Sequence, residues 1–477
     1  MKNKILEILK DSSIYGVSKI LGQVVTFFLI PLYTSYLSPE DYGILSIVGV
    51  MSVSLGLFMN FGLDSATYRY AAMAKNEEEK NKYIVNARFL VLCFATVFSI
   101  LYLLLLPQLN NLLLTEKSPK LYLIIGLGLT LPATFSSIIS ASLRIDRNVK
   151  TIAISSFINV FSSIISTIFL VVILKLGIVG ALLGNLTGNI LSSFFIILKG
   201  KVFNLKDIHL KLCKDLLKYS IPTVPAQLFA FAIPVYSQIS VKSLLSLNDL
   251  GLYAIALKFT IPLTMGLTMF QQAYAPYKFQ ILKNDEHAKE TFSKIMNLFV
   301  LGFGFSVIVI SLFGGEILTL MTTSKYHSAS VYIFSIALIP LAQGFYFMCS
   351  TGIEFAKFPI FRPIISGAGL LTVLFTNHLL IKKYGVSGAA YSIVLSWLVM
   401  AVGNLIYAQL LYKIKYNWIF ICTILSSVFL IGYAFNNLMV ISILIKLLFV
   451  IFLLLLLYFI LVYHLKFNLK TKYNIKK

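Results

Sequence analysis

Two lysines, Lys19 and Lys258, lie inside apolar runs that are long enough to cross a membrane. A lysine near the middle of a bilayer costs about 2.5–3.5 kcal/mol on insertion scales. A chain tolerates this cost where the ammonium group lies in water or meets a negatively charged partner. The chemistry that these side chains offer is therefore the binding of an anion within the membrane.

Polar residues accompany these lysines at helical spacing. In the first run, Tyr15, Lys19 and Gln23 follow one another at intervals of four, which places them on one face of a helix. Tyr219 and Gln227 repeat this pattern in the seventh run. A polar stripe of this kind faces a water-filled cavity or another helix. The predicted binding residues are Lys19, Lys258, Gln23, Tyr15, Gln227, Tyr219 and Arg69.

Simpler structural explanations exist for each of these features. Lys19 and Lys258 could extend their ammonium groups to the headgroups. The many Ser, Thr and Gly residues of the fifth and sixth runs are expected to pack helices together rather than bind a ligand. Asp64 and Arg69, at the end of the second run, fit a local ion pair as well as a gate. Lys446 has no polar neighbours in the last run and is predicted to be an anchor at the headgroups.

The residue patterns of enzymes are missing from this sequence. It has no P-loop, its five histidines are scattered, and its four cysteines show neither metal-ligand spacing nor a disulfide framework. The acidic cluster at 77–79 lies in a lysine-rich loop and is expected to be solvated. We therefore expect no enzymatic activity, no metal site and no organic cofactor.

Composition predicts an all-α polytopic membrane protein. Of 477 residues, 58% are hydrophobic and only 12% are charged, with a mean hydropathy of +0.88, whereas soluble domains are about 25% charged. Fourteen apolar runs reach the length of a membrane-spanning helix, about 20 residues. They lie near 12–36, 42–63, 86–107, 120–143, 151–174, 177–198, 215–239, 249–273, 294–314, 330–352, 360–381, 386–411, 417–435 and 438–463.

The distribution of positive charge predicts the orientation. The net charge of +22 is spread over short segments between apolar runs, which argues against a nucleic-acid partner. If the N-terminus is cytoplasmic, thirty of the 40 Lys and Arg residues fall in cytoplasmic segments and seven fall outside. Cytoplasmic loops are the ones enriched in Lys and Arg. Both termini are therefore predicted to be cytoplasmic.

An internal repeat runs through the first twelve spans. Three pairs of segments match at one offset of 208 residues: 38–47 with 246–255, 75–78 with 283–286, and 175–181 with 383–389. Because six spans separate the copies, the two halves have the same orientation in the membrane. The sequence thus predicts an N-lobe (1–200), a C-lobe (201–412) and two appended helices (413–477), with the substrate site between the lobes.

Three features resemble a known family: the polar first span with Lys19, the segment "LSPEDYGILSI" (37–47), and "FGLDSATYRYAA" (61–72) at the end of the second span. Together with the layout of six, six and two spans, they are similar to the bacterial polysaccharide flippases of the O-antigen and capsule type. The wider group also contains drug and toxin antiporters and lipid II flippases.

The resemblance implies a flippase that moves undecaprenyl-diphosphate-linked oligosaccharide across the cytoplasmic membrane by alternating access. It implies cationic residues on the first, second and eighth spans; Lys19 and Lys258 fit, whereas the second span offers only Asp64 and Arg69. It also implies coupling to Na⁺ or H⁺, for which Asp64 and Glu354 are the candidates. Expected partners are the lipid-linked substrate, membrane lipids, and the polymerase and chain-length proteins of the pathway. A cation-coupled drug antiporter and a lipid II flippase are the alternatives.

Overall fold

The computed structural model describes residues 27–114, 119–146, 148–200, 207–284, 287–353, 361–437 and 443–463. Every regular element within these ranges is a helix, and none of them contains a strand. The predicted all-α architecture is therefore confirmed.

Seventeen α-helices follow one another along the described chain. They are α1 (Ile30–Tyr36), α2 (Pro39–Asn60), α3 (Leu63–Ala72), α4 (Glu77–Leu104), α5 (Leu106–Leu113), α6 (Leu121–Ile145), α7 (Val149–Thr167), α8 (Gly177–Lys199), α9 (Leu210–Leu244), α10 (Leu247–Phe259), α11 (Ile261–Asn284), α12 (Ala288–Met321), α13 (Ile333–Cys349), α14 (Arg362–Tyr384), α15 (Val386–Leu411), α16 (Trp418–Asn437) and α17 (Ile443–Tyr463). A π-helical turn (Ile168–Ile173) continues α7, and a 3₁₀ helix (Ser324–Tyr332) precedes α13.

The helices agree with the predicted membrane spans. Eleven described helical segments are long and apolar enough to cross a membrane, and α10 with α11, which are bent by 49°, make a twelfth if the pair is counted as one span. These twelve coincide with the second to thirteenth predicted spans. The first predicted span lies mostly outside the described residues, and the last is represented by the shorter apolar stretch Ile443–Leu455. The chain is a multi-pass membrane protein, and the total of fourteen spans stays a prediction.

The eighth span is interrupted near its middle. Helix α10 ends at Phe259 and α11 begins at Ile261, so Thr260 separates them. Pro262 lacks the N–H group that would bond the carbonyl of Lys258, and its ring disfavours a continuous helix. Lys258 therefore lies in the last turn before the break.

Packing divides the described chain into two compact units. The first contains α1–α9, α10 through Lys258, residues 321–326, α14, and α15 as far as Ser396. The second contains α11, α12, α13, the rest of α15, α16 and α17. Helices of both predicted lobes thus occur in the first unit. The lobe boundaries rest on the sequence repeat and stay a prediction.

Within the first unit, small and polar residues hold α7 against α8. Gly188 of α8 lies so close to Ser163 of α7 that a Cβ atom there would overlap the serine hydroxyl. Beside this contact, the amide Nδ2 of Asn159 donates to Asn189 Oδ1 at 3.0 Å and to Ser192 Oγ at 3.2 Å. These polar groups satisfy one another across the helix interface, so the predicted packing role of the fifth and sixth spans is confirmed.

Aromatic side chains dominate the interior of the second unit. The ring of Phe299 on α12 lies 4.5 Å from Phe303 and 5.0 Å from Phe270 of α11, measured between centroids. These rings adjoin a cluster of buried residues that includes Met296 and Met348. Since lipid tails are as apolar as these side chains, van der Waals packing rather than a hydrophobic force holds the helices together here.

Candidate functional site

The two copies of the repeated motif begin their helices in the same way. At the start of α2, the hydroxyl of Ser38 accepts a hydrogen bond from the backbone N–H of Asp41 at 3.2 Å. At the start of α10, the hydroxyl of Ser246 accepts one from the N–H of Asp249 at 3.0 Å. Each serine caps helical N–H groups that have no partner inside the helix. The repeat detected in the sequence therefore encodes one local structure twice.

The two capped helices cross at a pair of glycines. A Cβ atom on Gly43 would overlap the carbonyl oxygen of Leu247, and one on Gly251 would overlap the carbonyl oxygen of Pro39. Pro39 and Leu247 are themselves 208 positions apart, as are the glycines. Reciprocal contacts of this kind are what a two-fold axis between the helices produces. Glycine is required because only hydrogen atoms fit between the backbones.

The polar stripe of α9 faces helices of the N-terminal repeat. Near one end, the hydroxyl of Ser46 on α2 donates to Gln238 Oε1 at 2.6 Å. Farther along, Thr223 lies beside Gly62, where a Cβ atom would come within 3.2 Å of its hydroxyl oxygen. Tyr219 and Gln238 are about 28 Å apart along the axis, at 1.5 Å per residue. The stripe thus contacts helices of the N-terminal repeat near both of its ends, which are separated by about the thickness of the hydrocarbon core.

Two of the predicted binding residues, Arg69 and Tyr219, lie together. The guanidinium carbon of Arg69 lies 4.7 Å from the centroid of the Tyr219 ring, which is cation–π geometry. Tyr219 also meets Tyr70 edge to face, with 6.4 Å between centroids. Asp64 lies on the same short helix, where one carboxylate oxygen accepts the N–H of Ser65. Among the described ion pairs, none joins Asp64 to Arg69.

Lys258 is placed at the break in the eighth span. Its side chain is half-buried on α10, a helix whose other residues are mostly buried. No hydrogen bond or ion pair joins it to another residue in the described ranges. Pro262 also lacks the N–H group that would bond the carbonyl of Lys258 in a continuous helix. An ammonium group in this setting is suited to a ligand that brings its own negative charge.

The remaining predicted residues are not brought together by the described structure. Gln227 is exposed on α9, two turns beyond Tyr219. Lys19, Tyr15, Gln23 and Glu354 lie outside the described residues. Their roles in binding and coupling therefore stay predictions.

Two lysines occupy buried positions that the sequence analysis missed. Lys446, predicted to reach the headgroups, instead donates to the carbonyl of Leu312 at 2.9 Å and forms an ion pair with Glu316. That prediction is wrong, because the partner lies 130 residues earlier in the chain, on α12. Lys278, which follows the eighth predicted span (249–273), is only 2% exposed. Its ammonium nitrogen lies 5.5 Å from the centre of the Phe347 ring.

A buried asparagine ties the start of α9 to α4. The side chain of Asn86 is fully buried, and its Nδ2 donates to the carbonyls of Lys82 at 2.7 Å and Asp207 at 2.9 Å. Its Oδ1 accepts the N–H of His209 at 2.8 Å and the thiol of Cys213 at 3.3 Å. One side chain thus satisfies backbone groups on both sides of the connection between the predicted lobes. The sequence offered no signal for this role beyond a polar residue near a span end.

Solved structures with the same fold are transporters of two kinds. The lipid II flippase MurJ, in an inward closed conformation, superposes with a TM-score of 0.74 at 18% identity, over 94% of this chain and 99% of the other. An inward-facing multidrug resistance MATE transporter of the MOP superfamily gives a TM-score of 0.56 at 15% identity, over 81% and 94%. A MOP superfamily transporter from Pyrococcus furiosus, described as having a binding pocket of reverse polarity, gives 0.52 at 16%, over 84% and 95%. The chain has the fold of these flippases and transporters.

Sequence comparison defines the family. Among curated proteins, none matches this sequence. A family model described as "Polysaccharide biosynthesis protein" matches residues 8–282, which is more than half of the chain. The matched region includes the crossing of α2 with α10 and the broken eighth span. The chain belongs to this polysaccharide biosynthesis protein family.

Proposed function

We propose that this protein is a flippase for undecaprenyl-diphosphate-linked oligosaccharides, which it moves from the inner to the outer leaflet of the bacterial cytoplasmic membrane. The product would serve the assembly of a surface polysaccharide. The observation that carries the proposal is the match of residues 8–282 to a family of polysaccharide biosynthesis proteins. A fold shared with a lipid flippase supports it.

The energetics of the substrate explain why such a protein is needed. Each sugar hydroxyl that enters hydrocarbon without a hydrogen-bond partner costs several kcal/mol, and a diphosphate costs far more. A hydrated cavity between the two predicted lobes would remove most of this cost, while the polyprenyl tail stays in apolar surroundings. Lys258, half-buried and without a described partner, supports a role as counter-charge to the diphosphate. Lys19 is proposed to act with it from the first span.

Transport requires that the site opens to one side at a time. The predicted lobes 1–200 and 201–412 would rock about the substrate, as parallel repeats do in other transporters. The glycine crossing of α2 and α10 lies at the predicted outer ends of both helices. It supports a state that is closed toward the outside. Opening of the outer side would then separate Gly43 from Gly251.

An ion gradient would drive the cycle in one direction. Asp64 and Glu354 remain the proposed residues for coupling to Na⁺ or H⁺. The carboxylate of Asp64 accepts a backbone N–H from Ser65 and is half-buried, so it has capacity for a further ligand. The polymerase and chain-length proteins of the pathway are the proposed protein partners.

Complementation tests the proposal. A strain that lacks its own polysaccharide flippase should regain surface polysaccharide with the wild-type chain, and should stop accumulating undecaprenyl-diphosphate-linked oligosaccharide. We expect Lys258→Ala and Lys19→Ala each to reduce the polysaccharide at least tenfold, and Lys258→Arg to retain part of it. Lys242→Ala is the matched control, because it removes a half-buried lysine at the far end of α9 whose ammonium group already donates to the carbonyl of Leu112 at 2.9 Å. Normal polysaccharide with both alanine variants would refute the cationic site.

Lipid II flippase activity is the second candidate, because MurJ superposes with a TM-score of 0.74, whereas the MATE transporter gives 0.56. Deletion in the native cell separates the alternatives. Loss of surface polysaccharide supports the proposal, whereas a block in cell-wall synthesis supports a lipid II substrate. Hypersensitivity to drugs would instead support an antiporter.

A further inference from the structure

A groove of about 550 Å³ opens on the second unit between α11 and α12. Pro262, Gly266 and Phe270 line it from α11, and Leu298, Gly302 and Ser306 are among the residues that line it from α12. Its volume falls within the range of small-molecule sites, about 300–1,000 Å³. It lies entirely within one compact unit and begins two residues after the break at Thr260.

The lining specifies an apolar ligand. Among the described residues that form the groove, Ser306 alone has a polar side chain, and its hydroxyl donates to the carbonyl of Gly302 at 2.9 Å. No free donor is therefore directed at a ligand. A phosphate or a sugar would lose its hydrogen bonds to water here without replacement. Only a hydrocarbon fits this chemistry.

Shape distinguishes the groove from an ordinary lipid-facing surface. The rings of Phe270, Phe299 and Phe303 contact one another, with centroid distances of 4.5–6.3 Å, and so support one wall. Gly302 leaves space, because a Cβ atom there would have no other atom within 4 Å. In lipid no hydrophobic force favours the groove over the bilayer. Selection of a chain must come from van der Waals fit to these rings.

The groove lies at the depth where a substrate would be loaded. In the predicted orientation, α11 runs from the middle of the membrane toward the cytoplasm, so Pro262 to Phe270 fall in the inner leaflet. Lys258 precedes Pro262 by four residues, and four residues span at most about 14 Å. A lipid whose diphosphate is held by Lys258 therefore has its tail within reach of this groove.

We propose that the groove binds the polyprenyl tail of the substrate while its headgroup occupies the transport site. This inference rests on the proposed function and adds a second contact to it. A tail attached to a bound headgroup enters the groove as an intramolecular event, whereas a bulk acyl chain has no such anchor. The methyl branches of the isoprene units provide contacts for the phenylalanine rings.

Photolabelling tests this assignment directly. The purified protein, in vesicles of phosphatidylethanolamine and phosphatidylglycerol, is irradiated with undecaprenyl diphosphate that carries a diazirine on its tail. We expect label on residues 262–270 and 295–310, and at least tenfold less label with Gly302→Leu, which fills the groove. Ser306→Leu is a second filling variant on the same wall. Gly49→Leu is the control, because Gly49 is also an exposed helical glycine without a neighbour within 4 Å.

Two outcomes would overturn the tail site. One is label that does not fall in the groove or does not decrease in either filling variant. The other outcome uses phosphatidylglycerol that carries the diazirine on its acyl chain. If this lipid labels the groove equally, and excess undecaprenyl diphosphate does not reduce that labelling, bulk lipid is the occupant.

Complementation separates this inference from the proposed function. Polysaccharide restored by the wild type and equally by Gly302→Leu would contradict the tail site and leave the flippase function standing. Failure of the wild type to restore polysaccharide would contradict the flippase function itself.

Discussion

Gly43 and Gly251 lie in contact where α2 crosses α10, although 208 residues separate them in the chain. Each glycine accommodates the backbone of the other motif, so neither position has room for a side chain. Both glycines also follow a serine-capped helix start. This close contact between the two repeats thus depends on the absence of two Cβ atoms.

Alanine at either glycine should disrupt transport. A Cβ atom at Gly43 or Gly251 would overlap a carbonyl oxygen of the opposite backbone, and a helix backbone cannot rotate away as a side chain can. We expect Gly43→Ala and Gly251→Ala to reduce surface polysaccharide at least tenfold. Gly49 lies on α2 like Gly43, but a Cβ atom there would have no neighbour within 4 Å. Gly49→Ala therefore gains the same helix propensity without a clash and should remain active. Full activity of Gly43→Ala would show that the crossing is not needed.

The contact between Arg69 and Tyr219 should be measurable by a double-mutant cycle. An exposed cation–π pair contributes about 0.5–1 kcal/mol. In the free energy of unfolding, we expect a coupling of this size between Arg69→Ala and Tyr219→Leu. We expect no coupling between Arg69→Ala and Tyr219→Phe, because phenylalanine keeps the aromatic ring. If Arg69→Ala abolishes transport while Tyr219→Leu does not, then Arg69 acts on the substrate rather than through the ring.

Loss of Asn86 should destabilise the connection into α9. Asn86→Ala removes a fully buried side chain and leaves the N–H of His209 and the carbonyl of Asp207 without their partner in two part-buried hydrogen bonds. Each such group costs about 1–3 kcal/mol. The thermal unfolding midpoint of the purified protein in detergent should fall by several degrees. Thr96→Ala, an exposed position on the same helix whose hydroxyl bonds only to Leu92, should leave the midpoint unchanged. An unchanged midpoint for Asn86→Ala would mean that water replaces the amide.

The ion pair between Lys446 and Glu316 should behave as a unit. Glu316→Gln leaves a buried ammonium group without its carboxylate, and breaking a buried pair in this way costs about 3–5 kcal/mol. Lys446→Met should cost less, since the side chain of Glu316 is 32% exposed and can recruit water. The double variant should recover most of the loss in thermal stability. A double variant that is as unstable as Glu316→Gln would show that the two residues act independently.

Several elements could be predicted because their causes are local. The length of each apolar run determines a span, and the run at 215–239 lies within α9, Leu210–Leu244. The break after Lys258 follows from Pro262, which acts on the preceding turn of its own helix. The repeat was visible because one offset recurred at three places. Each of these signals is contained in a short window of sequence.

The features that escaped prediction depend on distant partners. The sequence predicts that Lys446 is an anchor because nothing in its own span can pair with it, whereas its partner Glu316 is 130 residues away. The sequence placed Tyr219 on a polar stripe but could not choose between a cavity and a neighbouring helix. The structure places it against Arg69, which depends on how α3 packs on α9. Sequence patterns of a single helix do not contain such pairings.

The glycine crossing also has a consequence for the origin of the chain. Two separate copies of a six-helix ancestor, each with the capped motif, would form this contact across a two-fold axis as a homodimer. Joining them end to end would require no new packing at that point, only a linker. Divergence of the two halves would then change the side chains that each copy presents elsewhere, while this shared contact stays the same.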